Sequence, residues 1–307
     1  MAEFISDSMD FGVYMRQTEA SAKVRAASEF AADLAAEFVE RVGGVRSSMF
    51  STKLRDVIEF RPGEVTAWTG YNGHRKSMFT SQVALDLCVQ RERCLLLSLE
   101  MLPGKTLARM ARQASSFAKP SADFLTKFQQ WTDGRLWLFD HVGRITPDLC
   151  IAVCNYFAKE LKGRHVFIDS MMMVCASEES MDEQKQFVTD LCRLAQETNL
   201  HVHLVTHCRK PQTGEDKPPT KYDVRGSAAI SDQVSNVITV WQNKPKRIAL
   251  QKDPNDAQAL SAPDARICIE KQRNGEWEGS NQLWFDDASL RFCDDRIAPV
   301  EPYTLLQ

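Results

Sequence analysis

The chain has 307 residues, of which 43% are hydrophobic and 26% are charged, the balance of an ordinary globular protein. This composition excludes disordered, collagen-like and small disulfide-stapled proteins, and the length corresponds to about two domains. Lysine and arginine number 38 against 41 aspartates and glutamates, so the net charge of −3 excludes a basic protein that coats nucleic acid non-specifically. Any contact with nucleic acid must be local.

The cysteines and the N-terminus indicate the compartment. Nine cysteines, without a C-x-x-C pair, do not form the pattern of a disulfide framework or a zinc ribbon, which favours a reducing cytosol. Cys150 and Cys154 lie four residues apart in an apolar helical stretch, so we expect both to be buried. The first residues lack a signal-peptide pattern, and no stretch reaches the roughly 18 apolar residues of a membrane span. We therefore expect a cytoplasmic protein.

Residues 19–42 place apolar side chains at three- and four-residue spacings, which predicts an amphipathic helix that ends at Gly43. From Glu64 onward, short apolar runs alternate with longer amphipathic stretches, which predicts an α/β fold with a mainly parallel central sheet and crossover helices. The runs LLLSL and VFID are apolar on successive residues and are expected to be central strands. The predicted strands are Val65–Thr69, Cys94–Leu99, Leu136–Phe139, Val166–Ile168 and Val202–Thr206.

Two polar stretches, Pro211–Tyr222 and Lys244–Asp264, are predicted to be long loops. After Ala265, the runs RICIEKQ, NQLWFD and LRFCD predict three short antiparallel strands that close the sheet.

The segment GYNGHRKS, Gly70 to Ser77, lies between a predicted strand and a helical pattern, the context that a phosphate-binding loop requires. Free N–H groups at the start of that helix favour phosphate. We expect Lys76 to reach the β- and γ-phosphates of ATP and the Ser77 hydroxyl to ligate Mg²⁺. The predicted nucleotide contacts are Gly70, Asn72, Gly73, His74, Arg75, Lys76, Ser77 and Met78.

Arg75 departs from the usual G-x-x-x-x-G-K-[ST] pattern, which has glycine before the lysine. Two interpretations stay open. The guanidinium either swings outward or adds charge to the phosphates and leaves a working site, or it crowds the nucleotide and disables hydrolysis.

Three further residues are predicted to lie at the ends of neighbouring strands. Asp169 ends the run RHVFID and is placed to hold the water shell of Mg²⁺. Glu100 follows another strand and is a candidate general base for an attacking water. His207 follows a third strand, where it can touch the γ-phosphate and respond to its loss. A structural role for such strand-end residues is the alternative.

The segments DVRGSAAISDQVSNVITV and IEKQRNGEWEG come next in the chain. With them, residues 60 to about 293 resemble the hexameric replicative helicases of the DnaB type. His207, where DnaB itself usually has glutamine, makes the chain similar to the phage primase-helicase and Twinkle branch. The resemblance implies a RecA-like ATPase core that uses ATP and Mg²⁺. It also implies a homo-oligomer, a ring of six copies around single-stranded DNA, in a bacterial or phage-infected cytosol.

The resemblance also implies individual roles. Glu100 activates water, Asp169 organises the metal and His207 senses the γ-phosphate. Lys271 and Arg273 enter the ATP site of the neighbouring subunit. The DNA backbone is gripped by Arg225, Gly226 and Ser227, and the flexible stretch before them carries Arg209 and Lys210, which either add to DNA binding or are merely solvated.

On this basis we divide the chain into an N-terminal arm and linker helix (1–55), a RecA-like ATPase and helicase domain (56–298) and a C-terminal tail (299–307). The linker helix packs either on an adjacent protomer or on its own domain. The expected function is an ATP-dependent DNA helicase, with a primase or loader as a further partner. The alternatives are a RecA-group recombinase or repair ATPase, and a nucleotide-binding ring or adaptor that does not hydrolyse because of Arg75.

Overall fold

The computed structural model describes residues 26–31, 47–175, 181–209, 214–224 and 228–305. The chain divides into two compact units, Met1–Val45 and Arg46–Gln307. In the first unit, the described residues include a short 3₁₀ helix, Ala27–Phe30. The rest of the helix predicted over residues 19–42 lies outside the described residues.

The second unit is built on one nine-stranded sheet with the order β3-β2-β4-β5-β1-β6-β7-β8-β9. The pairs from β3 to β6 in this order are parallel, and the pairs from β6 to β9 are antiparallel. The strands are β1 Val65–Thr69, β2 Cys94–Ser98, β3 Leu136–Leu138, β4 His165–Asp169, β5 His201–Val205, β6 Asn236–Gln242, β7 Ala265–Gln272, β8 Gly279–Asp286 and β9 Arg291–Cys293.

Helices connect these strands and cover both faces of the sheet. They are α1 Thr52–Arg55, α2 Lys76–Val89, α3 Pro103–Ser115, α4 Ala122–Thr132, α5 Pro147–Lys159, α6 Met181–Thr198, α7 Ala228–Gln233, α8 Lys244–Lys252 and α9 Ala257–Ser261. No helix within the described ranges is both long enough and apolar enough to cross a membrane.

Two hydrophobic cores lie on opposite faces of the sheet, because successive strand residues point to opposite sides. Trp68 of β1 packs in the core that includes α2, α3 and α4, whereas its neighbour Ala67 packs in the core that includes α5, α6 and α7. Cys150 and Cys154 of α5 lie in the second core and are fully buried, as predicted. All nine cysteines are free thiols.

The predicted strands and the three closing antiparallel strands are confirmed to within about one residue at most ends. One of these predictions needs correction, and one strand was missed. The runs LLLSL and VFID form β2 and β4, which are buried on both faces but stand second and third from one edge, while β1 holds the middle of the sheet. The strand β6 was not predicted, although it pairs with both β1 and β7.

The prediction of a long loop over Lys244–Asp264 is wrong, because two helices, α8 and α9, form there. The side chain of Asn243 accepts the N–H of Lys246 and caps α8, and Pro245 stands in the first turn, where its missing N–H costs no hydrogen bond. Asp256 caps α9 in the same way. The described part of the other predicted loop, residues 214–222, is irregular apart from a 3₁₀ turn at Lys221–Asp223.

Candidate functional site

The carboxyl ends of four parallel strands meet at one edge of the sheet. β1 leads into the segment Gly70–Ser77, β2 is followed by Glu100, β4 ends at Asp169, and β5 is followed by His207. The sheet order β2-β4-β5-β1 places these ends side by side. Open α/β sheets bind ligands at this edge, so the topology brings the predicted site residues into one region.

The backbone of the phosphate loop, residues 70–77, needs glycine at its first position. Gly70 has φ 151°, and a Cβ there would lie 2.3 Å from the carbonyl oxygen of Val240 in β6. Gly73 also has a positive φ, 74°, which glycine adopts without steric cost. Helix α2 then starts at Lys76, so the loop leads directly to the free N–H groups of a helix N-terminus.

Lys76 is 6% exposed and folds back over the loop. Its Nζ donates to the carbonyl oxygens of Gly70 at 2.9 Å and Tyr71 at 3.0 Å, and lies 3.3 Å from Nδ1 of His207. Burial lowers the pKa of Lys76 to about 8, against the opposing effect of nearby acidic groups. The ammonium is therefore placed at the centre of the loop, where it can move from these carbonyls to a phosphate.

Arg75 adopts a left-handed backbone conformation, φ 61° and ψ 25°, which glycine enters without steric cost. Its guanidinium lies 3.6 Å from the centroid of the Phe285 ring, and Nη2 lies 3.3 Å from Oδ1 of Asp287. Phe285 lies near the end of β8, and Asp287 lies in the turn between β8 and β9. The side chain is thus held on the antiparallel end of the sheet and lines a cavity of ≈ 300 Å³ there.

Asp169 and Glu100 each have a hydroxyl partner. Burial raises the pKa of the Asp169 carboxyl, and the nearby Ser77 hydroxyl opposes this shift. The hydroxyl of Ser170, which is fully buried, donates to Oε1 of Glu100 at 2.8 Å. A side-chain hydrogen bond therefore joins the ends of β2 and β4, beside the phosphate loop.

His207 lies beside Lys76 at the carboxyl end of β5. Burial and the Lys76 charge lower the pKa of His207 to about 4. A neutral imidazole at this position can accept a hydrogen bond from Lys76 or donate one to a phosphate oxygen, which requires no second positive charge beside the ammonium.

The AAA domain family matches residues 51–213, more than half of the chain. The chain belongs to this AAA domain family. Two solved structures share the fold of this AAA domain protein at low sequence identity. The first is a DnaB-like replicative helicase studied with its interactions with primase: TM-score 0.68, 18% identity, 92% of this chain and 71% of that chain covered. The second is an ATPase domain: TM-score 0.66, 17% identity, 95% of this chain and 100% of that chain covered. The predicted RecA-like α/β fold is confirmed, and the resemblance to the DnaB type is confirmed at the level of the fold.

The residues of this AAA domain fit a triphosphate with Mg²⁺. Two side chains beside the phosphate loop could ligate Mg²⁺: the hydroxyl of Ser77 and the carboxylate of Asp169. Both are hard oxygen ligands. Among the described residues, no group of three or more histidine, cysteine, aspartate or glutamate side chains could hold a metal ion by itself. This set suits Mg²⁺, which keeps several waters and is held by few carboxylates together with substrate phosphates.

Lys271 and Arg273 lie on the carbonyl end of α7. Nζ of Lys271 donates to the carbonyl oxygens of Ser231, Asp232 and Val234 at 2.8 to 2.9 Å. Nη2 of Arg273 donates to two carbonyl oxygens of the same helix end at 3.0 Å. Both cations therefore complement the negative end of this short helix.

The sheet register separates this pair from the phosphate loop of the same chain. Lys271 in β7 is paired with Val237 near the start of β6, and Asn236 is paired with Thr66 near the start of β1. Lys76 follows the other end of β1. The structure therefore does not bring Lys271 and Arg273 to Lys76 within one chain.

The predicted DNA-binding residues are described only in part. Arg225, Gly226, Ser227 and Lys210 lie outside the described residues. Arg209 is exposed, and its backbone N–H donates to the carbonyl oxygen of Asp223 at 2.9 Å. Among the predicted nucleotide contacts, Asn72 and Met78 contribute backbone carbonyl oxygens, which accept from Lys244 at 3.5 Å and from Gln113 at 3.0 Å.

Three residues near the site were missed by sequence reasoning. Ser170 directly follows Asp169, so its position beside a strand end was a readable signal. Arg109 of α3 donates to Ser81 at 3.1 Å and borders, with Asp169, a cavity of ≈ 10 Å³, about the size of one water. Glu215 contacts the phosphate loop from the polar segment after β5, and no local pattern marks it.

Proposed function

We propose that this AAA domain protein is an ATP-dependent DNA helicase that moves along single-stranded DNA as a ring and unwinds duplex. The observation that carries the proposal is the convergence of Lys76, Asp169, Glu100 and His207 on one edge of the sheet, beside the phosphate loop. The fold shared with a DnaB-like replicative helicase supports the same function.

In the proposed mechanism, Lys76 leaves the loop carbonyls and binds the β- and γ-phosphates of ATP. Ser77 and Asp169 would hold Mg²⁺, which when bound would neutralise the charge that develops on the phosphate. Glu100, oriented by Ser170, accepts a proton from the attacking water. His207 contacts the γ-phosphate region through its place beside Lys76, and so responds to loss of that phosphate.

Lys271 and Arg273 act in a neighbouring subunit in this proposal. Along β1, the start and the end are separated by roughly 15 Å at about 3.3 Å per residue, so the pair and Lys76 of one chain face opposite edges of the sheet. A cation from another copy is then needed to stabilise charge in the transition state, which couples hydrolysis to assembly of the ring. In the isolated chain the same cations rest on the end of α7.

A second candidate, a nucleotide-binding ring that does not hydrolyse, is favoured only by the presence of Arg75. The direction of its guanidinium, over Phe285 and toward Asp287, supports a working site instead, because the charge is drawn away from Lys76.

The deciding experiment is steady-state ATP hydrolysis with and without single-stranded DNA, together with unwinding of a forked duplex. We expect DNA-stimulated hydrolysis by the wild type and none by Lys76→Ala, while Lys105→Ala, which alters an exposed lysine of α3, keeps full activity. Arg273→Ala is expected to bind a fluorescent ATP analogue but not to hydrolyse ATP.

The outcome separates the candidates. Hydrolysis by Arg75→Gly but not by the wild type would favour the non-hydrolysing adaptor. Normal hydrolysis by Arg273→Ala would exclude the role in the neighbouring subunit. Electron micrographs on DNA complete the comparison, because closed rings agree with the helicase and open helical filaments favour a RecA-group recombinase.

A further inference from the structure

The phosphate loop is attached to a distant part of the chain by a buried histidine. His74 is 1% exposed, its Nδ1 accepts the backbone N–H of Gln242 at 3.0 Å, and its Nε2 lies 2.9 Å from Oε2 of Glu215. A backbone amide can only donate, so Nδ1 carries no proton and Nε2–H donates to the Glu215 carboxylate. His74 thus uses both ring nitrogens to join the end of β6 to Glu215.

Glu215 is held by two further contacts. Nζ of Lys244 donates to the same carboxylate oxygen at 2.5 Å, and Nε1 of Trp241 donates to the backbone carbonyl oxygen of Glu215 at 2.9 Å. The hydrogen bond from Lys244 lowers the pKa of Glu215, which keeps the side chain ionised. A residue of an otherwise irregular segment is therefore fixed in place through both its side chain and its backbone.

This segment, residues 214–224, returns to the phosphate loop at its other end. The N–H of Cys208 donates to the carbonyl oxygen of Gly70 at 3.1 Å, and Cys208 forms an antiparallel bridge with Val224. We call residues 214–224 the return segment. The phosphate loop is linked to it at two points: His74 contacts Glu215 directly, and Gly70 contacts Cys208, which pairs with Val224. The residues predicted to grip DNA, 225–227, follow Val224 directly in the sequence.

Binding of a phosphate must alter these contacts. In this structure the Lys76 ammonium donates to the carbonyl oxygens of Gly70 and Tyr71. The carbonyl oxygen of Gly70 also accepts the N–H of Cys208. When Lys76 moves to a phosphate, the loop loses two internal hydrogen bonds between the two points that hold the return segment. A ligand can bias a second site only through contacts that differ between two states, and the hydrogen bonds of Lys76 are the contacts that a bound phosphate would change.

We propose that Glu215 is a positioning residue that couples the phosphate loop, through His74, to the DNA-binding part of the chain. The inference rests on the proposed helicase function. The contacts of Glu215 are with His74, Lys244 and Trp241 and not with the proposed catalytic residues, so its removal leaves basal hydrolysis in place. What is lost is the response of hydrolysis to DNA, because the return segment is no longer held to the phosphate loop.

The test is steady-state ATP hydrolysis by the full chain, with and without an oligo(dT) single strand, for Glu215→Ala. We expect basal hydrolysis close to that of the wild type and DNA stimulation reduced by about tenfold, a usual size for coupling between two sites. Glu215→Gln is expected to restore part of the stimulation, because its amide oxygen still accepts from His74. Asp216→Ala, which removes an exposed carboxylate from the same segment, is the matched control and keeps full stimulation.

Each other outcome overturns the coupling. If Glu215→Ala keeps full stimulation, the contact is structurally neutral. If basal and stimulated rates fall by the same factor, or if Glu215→Gln is no better than Glu215→Ala, Glu215 supports the loop without linking it to DNA. If the wild type itself shows no stimulation by DNA, the proposed function fails first, and this result is distinguished from the others because it needs no variant.

Discussion

At the scale of single residues, two positions of the phosphate loop differ in the space available for a side chain. Gly70 cannot gain a Cβ, because the backbone of β6 lies against it. Arg75 instead takes a left-handed backbone conformation, at a cost on the order of 1–2 kcal/mol, which its contact with Phe285 partly offsets. Asp287 is largely exposed, so its ion pair with Arg75 contributes little to stability. The fold therefore accommodates the Arg75 side chain, because space for it lies beside Phe285, outside the phosphate loop.

The contact between Ser170 and Glu100 leads to a prediction at the same scale. Ser170→Ala removes the hydroxyl that orients the Glu100 carboxylate, so kcat for ATP hydrolysis is expected to fall by roughly ten- to a hundredfold with KM nearly unchanged. Measurement of DNA-stimulated hydrolysis over a range of ATP concentrations checks this. Ser261→Ala, in the exposed end of α9, is the control, and an unchanged kcat for Ser170→Ala would show that Glu100 needs no such orientation.

At the scale of secondary structure, α8 shows how a polar sequence becomes a helix. Its first turn is capped by Asn243, whose side chain also donates to the carbonyl oxygen of Pro263, so one residue links the start of α8 to the chain that follows α9. Lys246 donates to the carbonyl oxygen of Ala262 and pairs with Asp264 at 2.8 Å. These contacts, rather than an apolar stripe, hold the helix to the end of β6 and the start of β7.

Removal of this cap should destabilise the protein. Asn243→Ala is expected to lower the free energy of unfolding by about 1 kcal/mol, because one N–H of the first turn loses its acceptor. Urea denaturation of this variant against Asn255→Ala, an exposed asparagine beyond the same helix, gives the comparison. Equal stability of the two variants would mean that water replaces the cap at no cost.

At the scale of the whole molecule, three buried histidines join strands on one face of the sheet. Nε1 of Trp68 donates to Nδ1 of His203, whose Nε2 lies 3.2 Å from Nδ1 of His165. Nδ1 of His201 donates to the carbonyl oxygen of Arg61 at 2.6 Å, and its Nε2 lies 2.8 Å from Oγ1 of Thr66. Burial lowers the pKa of all three histidines, that of His201 to about 4. The folded protein therefore holds them neutral.

The depressed pKa values predict a loss of stability in acid. Between the unfolded pKa of about 6.5 and the folded value, the unfolded chain takes up protons that the folded chain does not, so the free energy of unfolding falls as the pH falls. Each histidine contributes a slope of up to about 1.4 kcal/mol per pH unit in this range. The free energy of unfolding can be measured by urea denaturation between pH 7 and pH 5. His203→Gln should reduce its slope against pH by up to about 1.4 kcal/mol per pH unit, the contribution of one proton. Equal slopes for His203→Gln and the wild type would show that His203 is protonated in the folded state.

Much of the candidate site could be predicted from local patterns. A strand, a glycine-containing loop, Lys76, Ser77 and a helix occur in one short stretch, and Asp169 directly ends an apolar run, so no knowledge of distant contacts is needed to recognise them. The alternation of strands and helices likewise predicts a parallel sheet, because each element depends on the periodicity of its own residues. Capping at Asn243 was equally local, but the polar composition of the following residues concealed the helix.

What the sequence determined by itself is therefore the identity of most elements and the site residues that end the strands β1, β2, β4 and β5. The tertiary structure alone decided which strand ends are neighbours, where the Arg75 side chain points, and that Glu215 meets His74 across 141 positions of the chain. The reason is physical. Periodicity and capping are set by residues a few positions apart, whereas strand order is set by the packing of both cores at once, and contacts between distant residues exist only after that order is chosen.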